Sequence, residues 1–409
     1  MLTLLLAGCL HAYGPALSPS FADAPVADRP AGTFADALCA ADLRAAADLA
    51  ANDDERGLVE QLATAYVGEP DLAWLQGWLD RHGADEPLSP LVQGLLVSSA
   101  GLHGRAAEVT TTVLDEVDRA ELDAMAALPP FVAPAITEPV TLPMRLDDLT
   151  ALPMVEVTVE GKPVWFIIDT GAGITAVNDR VLPRHHPRTV EGLTLSGSAA
   201  TASYDLATVD LGLGPIALDD AAVAVLHHRE LIFRFLGIKL LEIRGILGWP
   251  ILSRYRVELD YAAGTVTFAP PGDPVDDPNL VWAGTPYVRG AIDGAEALLL
   301  LDTGAVGSSL FLSARDRGVT LPEGARSTTT LGGVGGADTF EIERIPGPRT
   351  LHLGGASLSA GTLDALPDDP EEPLCGDAWL GSDAFRSARL VVDATAGTVQ
   401  VLPSDAGSP

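Results

Sequence analysis

Apolar residues recur every three to four positions through the first third of the chain. Further on they alternate or form unbroken runs. Leu38, Leu43, Ala47 and Leu49, then Leu58, Leu62 and Tyr66, then Leu72, Leu75 and Leu79 keep helical spacing, which predicts short amphipathic helices. Breaks at Gly68-Glu69-Pro70, at Gly83-Ala84-Asp85-Glu86-Pro87 and around Gly101 to Gly104 separate them. No repeat signature is recognisable, so residues 33–128 read as a small α-helical domain with no activity of its own.

The pattern changes at Leu128-Pro129-Pro130, where four prolines between 129 and 139 mark a linker or an extended entry strand. Strand-like stretches follow: Met154 to Val159, Val164 to Ile168, Val257 to Leu259 and Thr265 to Phe268. A second proline-rich linker, 270–274, precedes a similar block beginning near Trp282. Within the first block, Leu226 to Leu241 mixes Arg229, Arg234 and Lys239 with Leu, Ile and Phe; it reads as an amphipathic helix packed on that block. The acidic run 368–372 reads as a solvated loop.

Composition narrows the partners. The 409 residues hold 25 basic and 56 acidic side chains, a net charge of −31 that repels phosphate backbones and argues against nucleic-acid binding. Leu6-Ala7-Gly8-Cys9 resembles a bacterial lipobox, although the apolar run ahead of it is short and has no Lys or Arg. The expectation is a lipidated Cys9, a tether through residue 32, and a periplasmic or otherwise extracytoplasmic protein anchored in the cell envelope. Cys39 and Cys375, the other cysteines, leave two readings open: one disulfide, or two buried thiols. His185-His186 and His227-His228 lack a carboxylate or Cys at ligand spacing in the sequence and read as surface or loop histidines. No metal and no cofactor are expected.

The sequence Asp-Thr-Gly-Ala occurs at 169–172, after Val164-Trp165-Phe166-Ile167-Ile168, and again at 302–305, after Leu298-Leu299-Leu300-Leu301. A carboxylate ending a buried strand is costly unless something satisfies it, and two in matching contexts point to carboxylates that meet. The copies lie 133 residues apart, and the same offset relates Gly161 to Gly294, Leu247-Gly248 to Leu380-Gly381, Asp260 to Asp393, and Gly264-Thr265-Val266 to Gly397-Thr398-Val399. Landmarks held in one register over more than a hundred residues mark an internal duplication, with repeats over 139–268 and 282–403.

These residues resemble the aspartic proteases of the retroviral type, with pepsin as a more distant relative. Ile167 to Ala172 with Ile246-Leu247-Gly248 matches that family's apolar-apolar-Asp-Thr-Gly-Ala strand and its later apolar-apolar-Gly motif. Leu300 to Ala305 with Trp379-Leu380-Gly381 matches again, with Trp an unusual residue before Leu-Gly. Leu331-Gly332-Gly333-Val334-Gly335-Gly336 resembles the glycine-rich flap, whereas Leu195-Ser196-Gly197-Ser198 is a far weaker counterpart.

The resemblance implies a mainly β fold: two tandem retropepsin-like β-barrel domains forming a monomeric pseudo-dimer behind the helical domain. It implies an aspartic endopeptidase with Asp169 and Asp302 as the catalytic pair. Thr170, Gly171, Ala172, Thr303, Gly304 and Ala305 would support the catalytic loops, and Gly248 and Gly381 would pack behind them. The substrate would be a peptide bound in extended form under the flap. Ala172 and Ala305 stand where pepsin-type enzymes often carry a hydroxyl, so a working pH nearer neutral is expected. Dimerisation of each half with its like, a protease-fold binding lipoprotein without turnover, and a helical domain that binds a partner are the alternatives.

Overall fold

The structure, a computed structural model, describes residues 17–21, 27, 32–67, 69–196, 201–235, 238–333, 336–367 and 374–404. Cys9, Val334 and Gly335 lie outside the described residues.

Helices form at Phe34–Cys39, Leu43–Leu49, Asp53–Val67, Leu72–His82, Ser89–Leu102 and Glu116–Ala126. Their starts are fixed by short side chains: Thr33, Asp42, Asp71 and Asp115 accept hydrogen bonds from N–H groups of the first turn. The periodic residues Leu38, Leu58, Leu62, Leu72, Leu75 and Leu79 are buried, whereas Leu49, at a helix end, is exposed. None of the described helices is long and apolar enough to cross a membrane.

The rest is mainly β, in two large sheets and one small hairpin. One sheet contains the first repeat, from Val140–Leu146 to Thr265–Ala269, and also the last two strands of the chain, Ala388–Asp393 and Thr398–Pro403. Arg256–Asp260 pairs antiparallel with Ala388–Asp393, so that Arg256 faces Asp393 and Asp260 faces Arg389. The chain's end thereby closes back on its first repeat. The other sheet holds the second repeat from Leu280–Trp282 to Ala378–Leu380, and Ser18–Ser20, read from sequence as tether, adds an edge strand against Ser357–Ser359.

The two blocks share local geometry. Glu160-Gly161 and Asp293-Gly294 each adopt positive φ at both residues, closing equivalent tight hairpins. After each hairpin the apolar strand runs to its Asp: Lys162–Ile168 lies parallel to Gly245–Leu247, and Ala295–Leu301 lies parallel to Ala378–Leu380. Buried on both faces, these strands have no need of polar alternation, hence their unbroken apolar runs.

Leu226 to Leu241 is not a helix. A single 3-10 turn, His228–Leu231, leads into a two-stranded hairpin of Ile232–Phe235 and Ile238–Glu242. Ile232-Phe233-Arg234-Phe235 combines β-branched and aromatic residues, which favour a strand, and tertiary pairing overrides the amphipathic count. Cys39 and Cys375 form a disulfide, which resolves the two sequence readings and ties the first helix to the segment before Ala378–Leu380.

Candidate active site

The two Asp-Thr-Gly-Ala loops meet back to back. Thr170 N–H donates to Thr303 Oγ1 at 3.1 Å, and Thr303 N–H donates to Thr170 Oγ1 at 3.0 Å. Each hydroxyl in turn donates across the junction, Thr170 to the Leu301 carbonyl and Thr303 to the Ile168 carbonyl, both at 2.8 Å. All four groups are buried, so each bond satisfies a group that would otherwise be orphaned.

This junction brings each carboxyl over the opposite glycine. A Cβ on Gly171 would stand 2.7 Å from Asp302 Cγ, and a Cβ on Gly304 would overlap the Asp169 carboxyl. Only glycine fits at either place. Behind the loops, Asp169 N–H donates to the Leu247 carbonyl and Asp302 N–H to the Leu380 carbonyl. Gly248 and Gly381 press against the backbone carbonyls of Ile174 and Gly307, where a Cβ would come within 2.6 Å. Sequence reading missed two supporting hydroxyls: Gly248 N–H donates to Thr175 Oγ1 and Gly381 N–H to Ser308 Oγ. Thr175 and Ser308 stand at the 133-residue offset, a signal that was available.

The carboxyl oxygens have unequal company. Asp169 Oδ1 accepts from Ala172 N–H at 3.0 Å, while Asp169 Oδ2 is buried with no N–H donor and faces the Asp302 carboxyl. Asp302 Oδ1 accepts from Gly304 N–H at 2.8 Å and Ala305 N–H at 3.1 Å, and Asp302 Oδ2 accepts from Trp379 Nε1–H at 3.1 Å. Burial pushes Asp169 up to about 7. Burial also raises Asp302 well above the usual carboxylate range, and the Asp169 charge beside it adds to the rise. Two such groups hold one proton between them near neutral pH.

Both carboxyls are fully buried. The glycine-rich segment predicted as a flap is a hairpin of Ala325–Gly333 and Gly336–Leu353, in which Gly332 pairs with Ala337 and Gly333 with Gly336. The first repeat carries a hairpin too, Val190–Ser196 with Thr201–Leu213, despite its lack of a glycine run. The end of the helical segment packs beside the Asp169 loop. Ala124 shares one apolar cluster with Ala172, Ile174, Tyr204, Ile246 and Val306, and Met125 and Leu128 pack against it. Helical residues also share a cluster with Leu300, Ala305 and Trp379 of the second repeat.

The histidines need one correction. Tertiary structure does bring a carboxylate to His227-His228: Asp179 Oδ2 lies 3.7 Å from His227 Nε2, and its Oδ1 lies 3.5 Å from His228 Nδ1. Arg229 N–H donates to His227 Nδ1, so in the neutral ring Nε2 holds the proton and points at the carboxylate. The three side chains bring their ligand atoms within 4.8 Å of one another, a grouping that spacing in the chain does not show.

No curated protein matches the chain. Residues 155–251, the stretch that contains Asp169 and Gly248, match the family model described as Aspartyl protease.

Proposed function

We propose that the chain is an aspartic endopeptidase, built as a retropepsin-like pseudo-dimer in which each repeat supplies one catalytic carboxyl. The observation that supports this reading is the reciprocal threonine junction beside the two buried carboxyls. Water held between Asp169 and Asp302 attacks the scissile carbonyl carbon; the ionised carboxyl takes the water's proton, and the protonated one hydrogen-bonds the carbonyl oxygen. The tetrahedral intermediate then breaks its C–N bond as the proton passes to the departing amine. Nothing in these steps calls for a metal. The disulfide supports an oxidising, extracytoplasmic location, and the lipidated Cys9 remains part of that proposal.

Complete burial of the pair favours one addition. Residues 116–128 pack beside the loops that carry the carboxyls, and we infer that a peptide reaches the pair only when they move. Burial also supports a second reading, a protease-fold module without turnover. Cleavage of a peptide library between pH 4 and 8, lost in both Asp169→Asn and Asp302→Asn and blocked by pepstatin, supports the enzyme. A folded protein that cuts nothing, even with the helix displaced, supports the binding module.

A further inference from the structure

Trp379 is the residue that breaks the internal symmetry of this site. Its counterpart at the 133-residue offset is Ile246, which offers no hydrogen-bond donor. Both residues sit on the short strand parallel to an Asp-bearing strand, Ile246 paired with Ile167 and Trp379 with Leu300. The two positions are equivalent in backbone and different only in chemistry.

The indole is held in place. It stacks on Phe311 with ring centroids 6.3 Å apart and is almost fully buried against helical residues. From there Nε1–H reaches Asp302 Oδ2 at 3.1 Å. Gly304 and Ala305 N–H occupy Asp302 Oδ1, and Ala172 N–H occupies Asp169 Oδ1. Of the four carboxyl oxygens, only Asp169 Oδ2 has no N–H donor.

We infer that Trp379 is a positioning residue for the pair: its indole N–H fixes Asp302 Oδ2, leaving Asp169 Oδ2 as the atom through which water and proton pass. This inference rests on the peptidase reading for its kinetic consequences but not for its geometry. A buried N–H aimed at a carboxylate favours the ionised form, so removing it shifts the pair toward protonation. Other titratable groups face the pair. Tyr261 interacts with Asp302 and Ser382 from the end of Arg256–Asp260, and Asp383 and Arg386 lie beyond Gly381. Asp377, just before Trp379, is paired with Arg317. None of these changes in the variant proposed.

The test is Trp379→Phe, which keeps the ring stack and removes the donor. The pH–rate profile should move upward by about one pH unit, and kcat should fall about tenfold with KM within about twofold, as for loss of one hydrogen bond to a charged group. An unmoved profile, or a loss confined to KM, overturns the inference. A second readout needs no activity. The indole 15N–1H resonance absent from Trp379→Phe should titrate with pH in the unaltered protein and stop titrating in the Asp169→Asn, Asp302→Asn double variant. A resonance that does not titrate, or that titrates unchanged in the double variant, overturns it also. If the unaltered protein has no peptidase activity while the resonance titrates as expected, the peptidase reading fails and the Trp379–Asp302 link stands.

Discussion

Thr170 and Thr303 each donate a backbone N–H to the other's hydroxyl, across 133 residues of sequence. Thr303→Val keeps the side-chain shape and removes one donated and one accepted bond. It leaves Thr170 N–H and the Ile168 carbonyl buried without partners. The expected cost is about 2–4 kcal/mol of stability, measured by chemical denaturation. Thr303→Ser keeps the hydroxyl and should recover most of it. Equal stability of the valine variant would show that the junction does not hold the loops together.

Stability should fall as pH rises through neutrality. Asp169 is raised in the folded protein to about 7 from an ordinary 3.8, so folding favours its protonated form. That contribution is fully present below pH 4 and is lost as pH climbs through 7, at about 1.4 kcal/mol per unit of displacement. Asp169→Asn removes the charge. Its stability relative to the unaltered protein should therefore improve between pH 5 and pH 8, followed by thermal unfolding at each pH. A constant difference across that range would refute the raised ionisation.

The Glu116–Ala126 helix can be loosened where it touches the first repeat. Ala124 is buried in the cluster with Ala172, Tyr204 and Ile246, with no room for a long charged side chain. Ala124→Arg should speed amide exchange at residues 169–172 and 302–305 without unfolding the sheets. It should also raise the peptide-cleavage rate at fixed enzyme concentration by roughly tenfold or more, if closure populates the open state at one part in ten or less. Faster exchange with no gain in cleavage would favour the module without turnover.

The Cys39–Cys375 disulfide links residues 336 apart in sequence and ties the helical segment to the segment just before the strand that carries Trp379. Replacing both cysteines with serine should lower stability by about 2–5 kcal/mol. The loss should appear first in the helical segment, as faster exchange at 34–49. No change in the unfolding midpoint under reducing and non-reducing conditions would argue against the bond.

Much of this was legible in the chain. The helical spacing of Leu58 and Leu62, the apolar runs into Asp169 and Asp302, and the 133-residue register all depend on local or periodic pattern. Such pattern survives without knowledge of contacts. The hairpin at 232–242 was misread because a short mixed stretch satisfies both a helical and a strand period, and only its pairing partner decides. Asp179 beside His227-His228 was invisible because the ligand-like spacing lies across a sheet. Ser18–Ser20 likewise finds its strand partner more than three hundred residues away.

The sequence alone determined that two carboxyls end two equivalent buried strands, because burial of an apolar run and the demand for glycine at a close approach are written in residue type. Tertiary structure decided the rest. Whether the two halves meet, which oxygen Trp379 occupies, and what covers the pair depend on distances between segments far apart in the chain. Those distances come from packing of the whole molecule, which no local pattern records.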